Sequence, residues 1–494
     1  MFKKDASKFK KYIESTTAHG VVRIFSGKSV IRRIFWLVIV LAASGGCLYN
    51  ISDRIRFLIS SPTSTATSVT RKSTLTFPAV TVCNLNHFRA EVLQRRNITE
   101  LIQTALFVVP EATTQDLDPD ICDVILRDTS VIPQSVNLSH LAFEELLWEA
   151  RHILENFIVD CRFAGRRCNV IDMFEPVISN LGICYTFNSG RSGKPLQLAR
   201  GTGQRQGLQL YINVDQQSYT TPIDAGVKVA IHPQSEPPLP DDQGIGVPPG
   251  SNGFISLREL RVIDQTRRDC NAASETSSFS FLQSEYIYDY SIPACTVDCM
   301  QTSMANNCGC NSARSFHHPK SNKFAQLPNC TLENICCIVD ELVSPSQCNC
   351  PPACSSVLYD KEVSYSQFPA DFQSIGIAST LNITPSIFRS NLLAISIYFE
   401  TLNVETQTTS DSYSFVALLS DIGGQLGLFL GVSVISIIEF GAWIIDEIKD
   451  RVFGLSEKKL KDVCCTSCKY HSQTKVQVET ENELSNNLTY YRIK

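Results

Sequence analysis

The residues from Asp421 to Glu439 read Asp-Ile-Gly-Gly-Gln-Leu-Gly-Leu-Phe-Leu-Gly-Val-Ser-Val-Ile-Ser-Ile-Ile-Glu, seventeen uncharged residues between two carboxylates. Gly423, Gly427 and Gly431 recur every fourth residue. A helix here carries a strip without side chains along one face, where backbones can approach closely. Simple packing of small residues would satisfy that spacing, but the flanking acids argue against a dry helix. The apolar run resumes from Phe440 to Ile445 and puts Glu439 inside a stretch long enough to cross hydrocarbon. A carboxylate at that depth costs roughly 2.5–3.5 kcal/mol unless it faces water or a partner. Gly431-Val432-Ser433 offers a place where a helix can break and turn carbonyls and a hydroxyl toward a water-filled axis. Only there does irregular backbone survive at membrane depth. The stretch is expected to line an ion pathway.

Twenty cysteines set the compartment of the rest. Sixteen lie from Cys83 to Cys354, an even number that suits an oxidised framework. Spacings such as Cys295-x3-Cys299, Cys308-x-Cys310 and Cys348-x-Cys350-x3-Cys354 lack the repeated C-x2-C of zinc modules, so disulfides are expected and no metal. A formal net charge of −5 gives no basic excess, and no nucleic-acid partner is expected. No nucleophile–base constellation or phosphate-cradling loop is visible, so neither an enzyme nor a cofactor is expected.

A second uncharged run, nineteen residues from Ile34 to Ser52, follows a leader in which nine Lys and Arg face two acids. It could be the apolar part of a signal peptide, with Ala43-Ser44-Gly45-Gly46 as the cut site. The leader is long for that and the apolar run resumes at Cys47-Leu48-Tyr49, so a membrane span with a cytoplasmic basic flank is preferred. The later span is followed by Lys449, Arg451 and Lys458, which places both termini in the cytoplasm and the middle of the chain outside. The expected organisation is 1–33 cytoplasmic, 34–56 first span, 57–414 exterior, 415–446 second span and 447–494 tail, in a plasma-membrane protein contacting lipid. An exterior location suits the sequons at Asn97, Asn137, Asn329 and Asn382; that at Asn487 would be cytoplasmic and is discounted. Cys464, Cys465 and Cys468 beside a basic segment suggest palmitoylation, with inert reduced thiols as the alternative.

Within the exterior, Ser/Thr-rich 60–74 reads as a polar connector. Ala79 to Cys83, Leu208 to Val214, Gly226 to Ile231 and Leu392 to Phe399 read as strands. Phe143, Leu146, Leu147, Ala150, Ile153, Leu154 and Phe157 repeat at helical spacing and predict one helix. Residues 236–250 read as a loop. The stretch from Cys270 to Cys354 is poor in apolar residues, so cross-links are expected to replace a core, each contributing roughly 2–4 kcal/mol.

Four landmarks carry a resemblance: Phe77-Pro78-Ala79-Val80-Thr81-Val82-Cys83-Asn84, Gly182-Ile183-Cys184-Tyr185-Thr186-Phe187-Asn188, the cluster Cys348-x-Cys350-Pro351-x-x-Cys354, and Asp421 to Ser433. Together with His19-Gly20, they resemble the degenerin/epithelial sodium channel family, most closely its acid-sensing branch, from His19 to about Asp446. The resemblance implies a chalice-like trimer, homomeric or heteromeric, with two transmembrane helices per subunit. Its exterior would be a large disulfide-rich α+β domain of palm, β-ball, knuckle, finger (about 88–168) and thumb (about 270–354). It further implies a sodium-selective pore blocked by amiloride. Gly431, Val432 and Ser433 look like the selectivity belt, with Val432 a departure from the family's smaller middle residue. Ser420 matches the position whose enlargement props the pore open, and Asp421 the outer acid. Gly424, Gly427 and Glu439 fall within the pore and gate, and His19-Gly20 match the cytoplasmic gating motif.

The implied disulfides are Cys83–Cys184, Cys161–Cys168, Cys270–Cys354, Cys295–Cys350, Cys299–Cys348 and Cys310–Cys330, with Cys308 bonded to Cys336 or Cys337. Cys122 and the remaining thumb cysteine would bridge finger to thumb. Features that proton-gated relatives carry are replaced here by Ser60-Ser61-Pro62-Thr63-Ser64, Gln265-Thr266-Arg267-Arg268-Asp269 and Tyr219-Thr220. Asp224, Asp340, Glu341, His232, His317 and His318 leave some titratable groups. Protons, a peptide ligand, or constitutive opening all fit. The competing reading is a cysteine-rich, two-pass adhesion or receptor protein that conducts nothing.

Overall fold

The computed structural model describes residues 21–449 outside several interior stretches, the longest being 104–141, 280–287, 312–325 and 376–384. His19, Gly20, Cys122, Asn137, His317, His318, Cys336, Asp340, Asn382, Cys464, Cys465, Cys468 and Asn487 lie outside the described residues. Two units are distinguished, Met1–Ser61 with Tyr413–Lys494, and Pro62–Ser412.

In the first unit, α1 (Val21–Ser26) leads into α2 (Val30–Ile59). The expected span 34–56 lies inside this thirty-residue helix, which is long and apolar enough to cross a membrane. Its apolar residues are largely exposed, and Cys47 is its buried residue. The Arg23 guanidinium stacks 4.7 Å from the centroid of Trp36, fixing α1 against the start of α2.

The second unit contains strands β1 (Thr63–Arg71), β2 (Ala79–Asn84), β3 (Ile158–Phe163), β4 (Phe174–Ser179), β5 (Gly182–Phe187), β6 (Leu208–Asn213), β7 (Val227–His232), β8 (Ile245–Val247), β9 (Ser251–Asp264), β10 (Ser355–Gln367) and β11 (Leu392–Asp411). One sheet runs β10-β9-β11-β6-β3, with β1 also on β11; another runs β8-β7-β2-β5-β4. The β9–β11 pair is parallel, from Asn252↔Ala394 to Asp264↔Thr409, and the β1–β11 pair is antiparallel, from Thr63↔Asp411 to Arg71↔Asn403. In β6, Leu208, Leu210 and Ile212 point into the core while Gln209, Tyr211 and Asn213 are half-buried. In β2 every residue is buried, because both faces are covered.

Three expectations change here. Residues 63–71, read as connector, form a strand although all nine are exposed. Likewise β11 continues twelve residues past Phe399. The far half of β11 lies between β9 and β1, and β1 is held by that one ladder and the β preference of threonine; neither leaves an apolar alternation in the sequence. The expected loop 236–250 also contains one helical turn, Pro240–Gln243, besides β8.

The two sheets meet at Phe77, whose ring makes edge contacts with Phe163 and Phe399 of the first sheet and Phe187 of the second, at 5.1, 5.9 and 6.1 Å. Such pairs add about 0.5–1.5 kcal/mol each beyond area burial. The helix expected over 143–157 divides into α3 (Phe143–Ala150) and α4 (Leu154–Phe157). Arg89 causes the division: its N–H donates to the Ala150 carbonyl and its Nε to the Arg151 carbonyl, both at 2.9 Å, claiming acceptors the next turn would need.

The cysteine-dense lobe is organised on α5 (Ile292–Cys308), which Ser291 caps by accepting from the Ala294 N–H. Contrary to the expectation of no core, Phe279, Tyr288, Tyr290, Ala294 and Val297 form a small buried cluster, with Phe279 stacked on Tyr290 at 6.0 Å. The apolar residues are sparse in sequence but converge on one face of α5.

Candidate functional site

Returning to the first unit, α6 (Phe415–Leu430) and α7 (Val434–Ile445) are separated by Gly431-Val432-Ser433, and their axes differ by 80°. Joined, the pair is long and apolar enough to be one broken span or a re-entrant loop. Each side of the break is chemically specified. Gly431 takes φ 64°, ψ 23°, a left-handed cap that glycine adopts without strain, and its N–H donates to the Gly427 carbonyl at 3.0 Å. On the other side, Ser433 Oγ accepts from the Ser436 N–H and Ser436 Oγ accepts from the Ser433 N–H, each at 3.2 Å. This reciprocal cap starts α7. A helix C-terminus leaves its last carbonyls without intrahelical partners, so those of the last turn, Leu428 to Leu430, gather at the break.

Around the break, Val432 is half-buried, whereas Ser433 and Glu439 are exposed. An ideal Cβ on Gly423, Gly424 or Gly427 would find no atom within 4 Å, so the glycine face is open within this chain. The close helix approach lies elsewhere, where a Cβ on Gly46 of α2 would sit 3.1 Å from Phe429 Cε1. Gly46, considered in the sequence as part of a cut site, is thus a packing position, and only the partner ring reveals it.

At the start of α6, Ser414 caps the helix by accepting from the Ala417 N–H at 3.2 Å. Ser420 is exposed and its Oγ donates to the Val416 carbonyl at 3.0 Å. The Tyr413 hydroxyl donates to Asp421 Oδ2 at 2.6 Å, and the Tyr413 ring meets Phe57 of α2 edge-on at 5.3 Å. Nothing in the sequence pairs Tyr413 with Asp421.

In the second unit the described residues contain seven disulfides: Cys83–Cys184, Cys161–Cys168, Cys270–Cys354, Cys295–Cys350, Cys299–Cys348, Cys310–Cys330 and Cys308–Cys337. Of the two candidates for Cys308, the structure uses Cys337. Two bonds tie α5, at Cys295 and Cys299, to the 348–350 segment, so its N-terminal half is stapled twice.

The segment around Tyr219 and Thr220 is an uncharged buried network. Asn86 Nδ2 donates to the carbonyls of Phe88 (2.7 Å) and Ser218 (3.0 Å) and meets His152 Nε2 at 3.2 Å. Its Oδ1 accepts from the Thr220 N–H at 2.9 Å. The Tyr219 hydroxyl donates to Asn84 Oδ1 at 2.8 Å, and burial pushes it up to about 12. Gly226, beside it, has φ 140° and leaves no room for a Cβ, which would lie 2.5 Å from the Val247 carbonyl oxygen. Burial holds His152 down at about 4 and His232 likewise at about 4. Glu236, half-buried and close to Asp289, is instead pushed up to about 7, chiefly by desolvation. Elsewhere, Asp224 is exposed, Glu341 accepts from Ser303 Oγ at 2.6 Å, and Asp264 accepts from the Thr266 N–H at 2.8 Å. Arg268 pairs with Asp411. Asn97 and Asn329 are both exposed, and Asn329 Nδ2 donates to Glu144 Oε2 at 3.1 Å.

Residues 12–442 match the family model described as "Amiloride-sensitive sodium channel". The chain is 30% identical over 489 residues to Acid-sensing ion channel 2 of Mus musculus, across 94% of this chain and 92% of the relative. It is similar at 30% over 463 residues to Acid-sensing ion channel 1C of Danio rerio, across 90% and 84% respectively. With Acid-sensing ion channel 1 of Gallus gallus the identity is 32% over 465 residues, across 89% and 84%.

Proposed function

Because the chain belongs to the amiloride-sensitive sodium channel family, we propose that it is a subunit of a trimeric, sodium-selective channel that amiloride blocks. The family consists of plasma-membrane ion channels without enzymatic chemistry. In this reading α2 and the broken pair α6–α7 each cross the membrane, both termini are cytoplasmic, and Pro62–Ser412 is the disulfide-rich exterior with its finger and thumb. The same chain in three copies, or with related subunits, would bring three α6 helices around water.

The observation that carries the reading is the doubly capped break at Gly431-Val432-Ser433. A glycine that ends one helix and a serine that starts the next expose carbonyls and a hydroxyl where a sodium ion can exchange part of its water shell for protein oxygens. The open glycine face and the exposed Ser420 support the same lining. An adhesion protein crossing twice has no use for such a break.

Regulation comes from outside, by protons or a peptide, or the channel stands open. The uncharged network at Asn86, Tyr219 and Thr220, and histidines held near 4, supply no proton switch at neutral pH, whereas desolvation raises Glu236 to about 7. Expression in oocytes should give a sodium current blocked by amiloride. A standing current should appear when Ser420→Cys is modified by a bulky thiol reagent. Surface protein that passes no current under acid, peptide or thiol treatment overturns the channel reading.

A further inference from the structure

The outer end of α6 holds a chain of three side chains, Phe57, Tyr413 and Asp421. The phenol hydroxyl reaches one oxygen of Asp421 at 2.6 Å, a short charge-assisted bond. The phenol ring is itself held by the edge contact with Phe57 of α2. Tyr413 lies eight residues before Asp421, just outside the helix that Ser414 caps, so its side chain lies back along α6. The carboxylate is thereby drawn toward the α2 side. The glycines of α6, at 423, 424 and 427, leave a different and open face.

We propose that Tyr413 is a positioning residue for the outer-mouth carboxylate: its hydroxyl, braced by Phe57, turns Asp421 away from the open glycine face and limits how strongly the mouth gathers cations. The inference rests on the reading of that glycine face as the pore lining. A carboxylate facing the conduit raises the local cation concentration when bulk salt is dilute, and screening removes the effect as the Debye length shrinks to a few ångströms. Freeing Asp421 from Tyr413 therefore increases sodium capture in dilute salt and changes little in concentrated salt. A side chain that merely stabilised the helix would not produce that salt dependence.

The test is unitary sodium conductance of the full-length channel in lipid, measured from dilute to concentrated sodium chloride. Tyr413→Phe keeps the ring on Phe57 and removes the hydroxyl; its conductance in dilute salt should rise roughly twofold and converge with wild type in concentrated salt. Asp421→Asn should lower the dilute-salt conductance, and the added Tyr413→Phe should then have no effect. Phe57→Leu, which loosens the brace and keeps the hydroxyl, should shift conductance in the same direction by less; it also tests the idea if Tyr413→Phe does not reach the surface. Unchanged conductance in Tyr413→Phe, with Asp421→Asn lowered, overturns the role of Tyr413 and leaves the pore reading standing. Unchanged dilute-salt conductance in Asp421→Asn removes Asp421 from the mouth and overturns the proposal, while the recorded sodium conductance leaves the pore reading standing.

Discussion

Phe429 of α6 lies against Gly46 of α2, with a Cβ at position 46 placed only 3.1 Å from its Cε1. Gly46→Ala demands a shift of a few tenths of an ångström and should be tolerated with a small loss of surface protein. Gly46→Leu has nowhere to put its branch, and overpacking of this kind costs about 1–3 kcal/mol. It should abolish current, and restoring current with Phe429→Ala in the same chain would confirm the contact.

The break between α6 and α7 makes a second prediction. Ser436→Ala removes a hydroxyl that accepts from the Ser433 N–H without touching Gly431 or Val432. Loss of such a cap costs about 1 kcal/mol, which should loosen Ser433 and reduce sodium over potassium discrimination, read as a negative shift of reversal potential under bi-ionic conditions. Gly431→Ala forces a side chain into a left-handed conformation and should cost about 1–2 kcal/mol with a larger shift of the same sign.

Stability should depend on pH with two opposing limbs. Glu236 is raised to about 7 in the fold, so its protonated form is favoured there and stability falls as pH rises from the usual carboxylate range through 7. His152 and His232 are lowered to about 4, so their contribution is complete above pH 6.5 and is lost as pH falls toward 4. Thermal unfolding of detergent-solubilised Glu236→Gln should show a gain over wild type at pH 8, none near pH 4.5, and an unaltered acid limb.

Asn86→Ala would strand the Ser218 carbonyl and the Thr220 N–H, while the Phe88 carbonyl keeps its bond from Thr220 Oγ1. Each unsatisfied buried group costs about 1–3 kcal/mol, so the variant should be retained inside the cell or melt well below wild type.

Non-reducing peptide mapping should recover Cys308 joined to Cys337. Cys336 is then the thumb cysteine left over, and a fragment joining it to Cys122 is the expected outcome; a free thiol at Cys122 would remove the finger–thumb bridge.

What could be read in the sequence was whatever rests on local pattern. The apolar runs announced α2 and α6, and alternation announced β6. Gly431 and Ser433 marked the break between α6 and α7 because left-handed backbone and helix capping are properties of single residues. Pairings across the chain were opaque. Tyr413 with Asp421, Phe429 with Gly46, and Arg89 with the carbonyls that end α3 each join residues whose separation carries no periodic signal. β1 and the far half of β11 escaped for a related reason, since a strand held by its neighbours, without a buried face, leaves no alternation behind.

That same nakedness of β1 bears on what keeps it in register. Strand register is strongly specified only where a slip would turn apolar groups outward, and none of the nine residues from Thr63 to Arg71 has such a group to protect. The ladder to β11, with the Thr65–Thr409 hydroxyl contact, is what fixes the alignment. The chain beyond it is anchored differently: the Lys72 N–H donates to the Leu402 carbonyl, Leu75 pairs with Ala199, and Phe77 is fully buried. The seam of threonines is thus held by its ladder, and the aromatic interior beside it by burial.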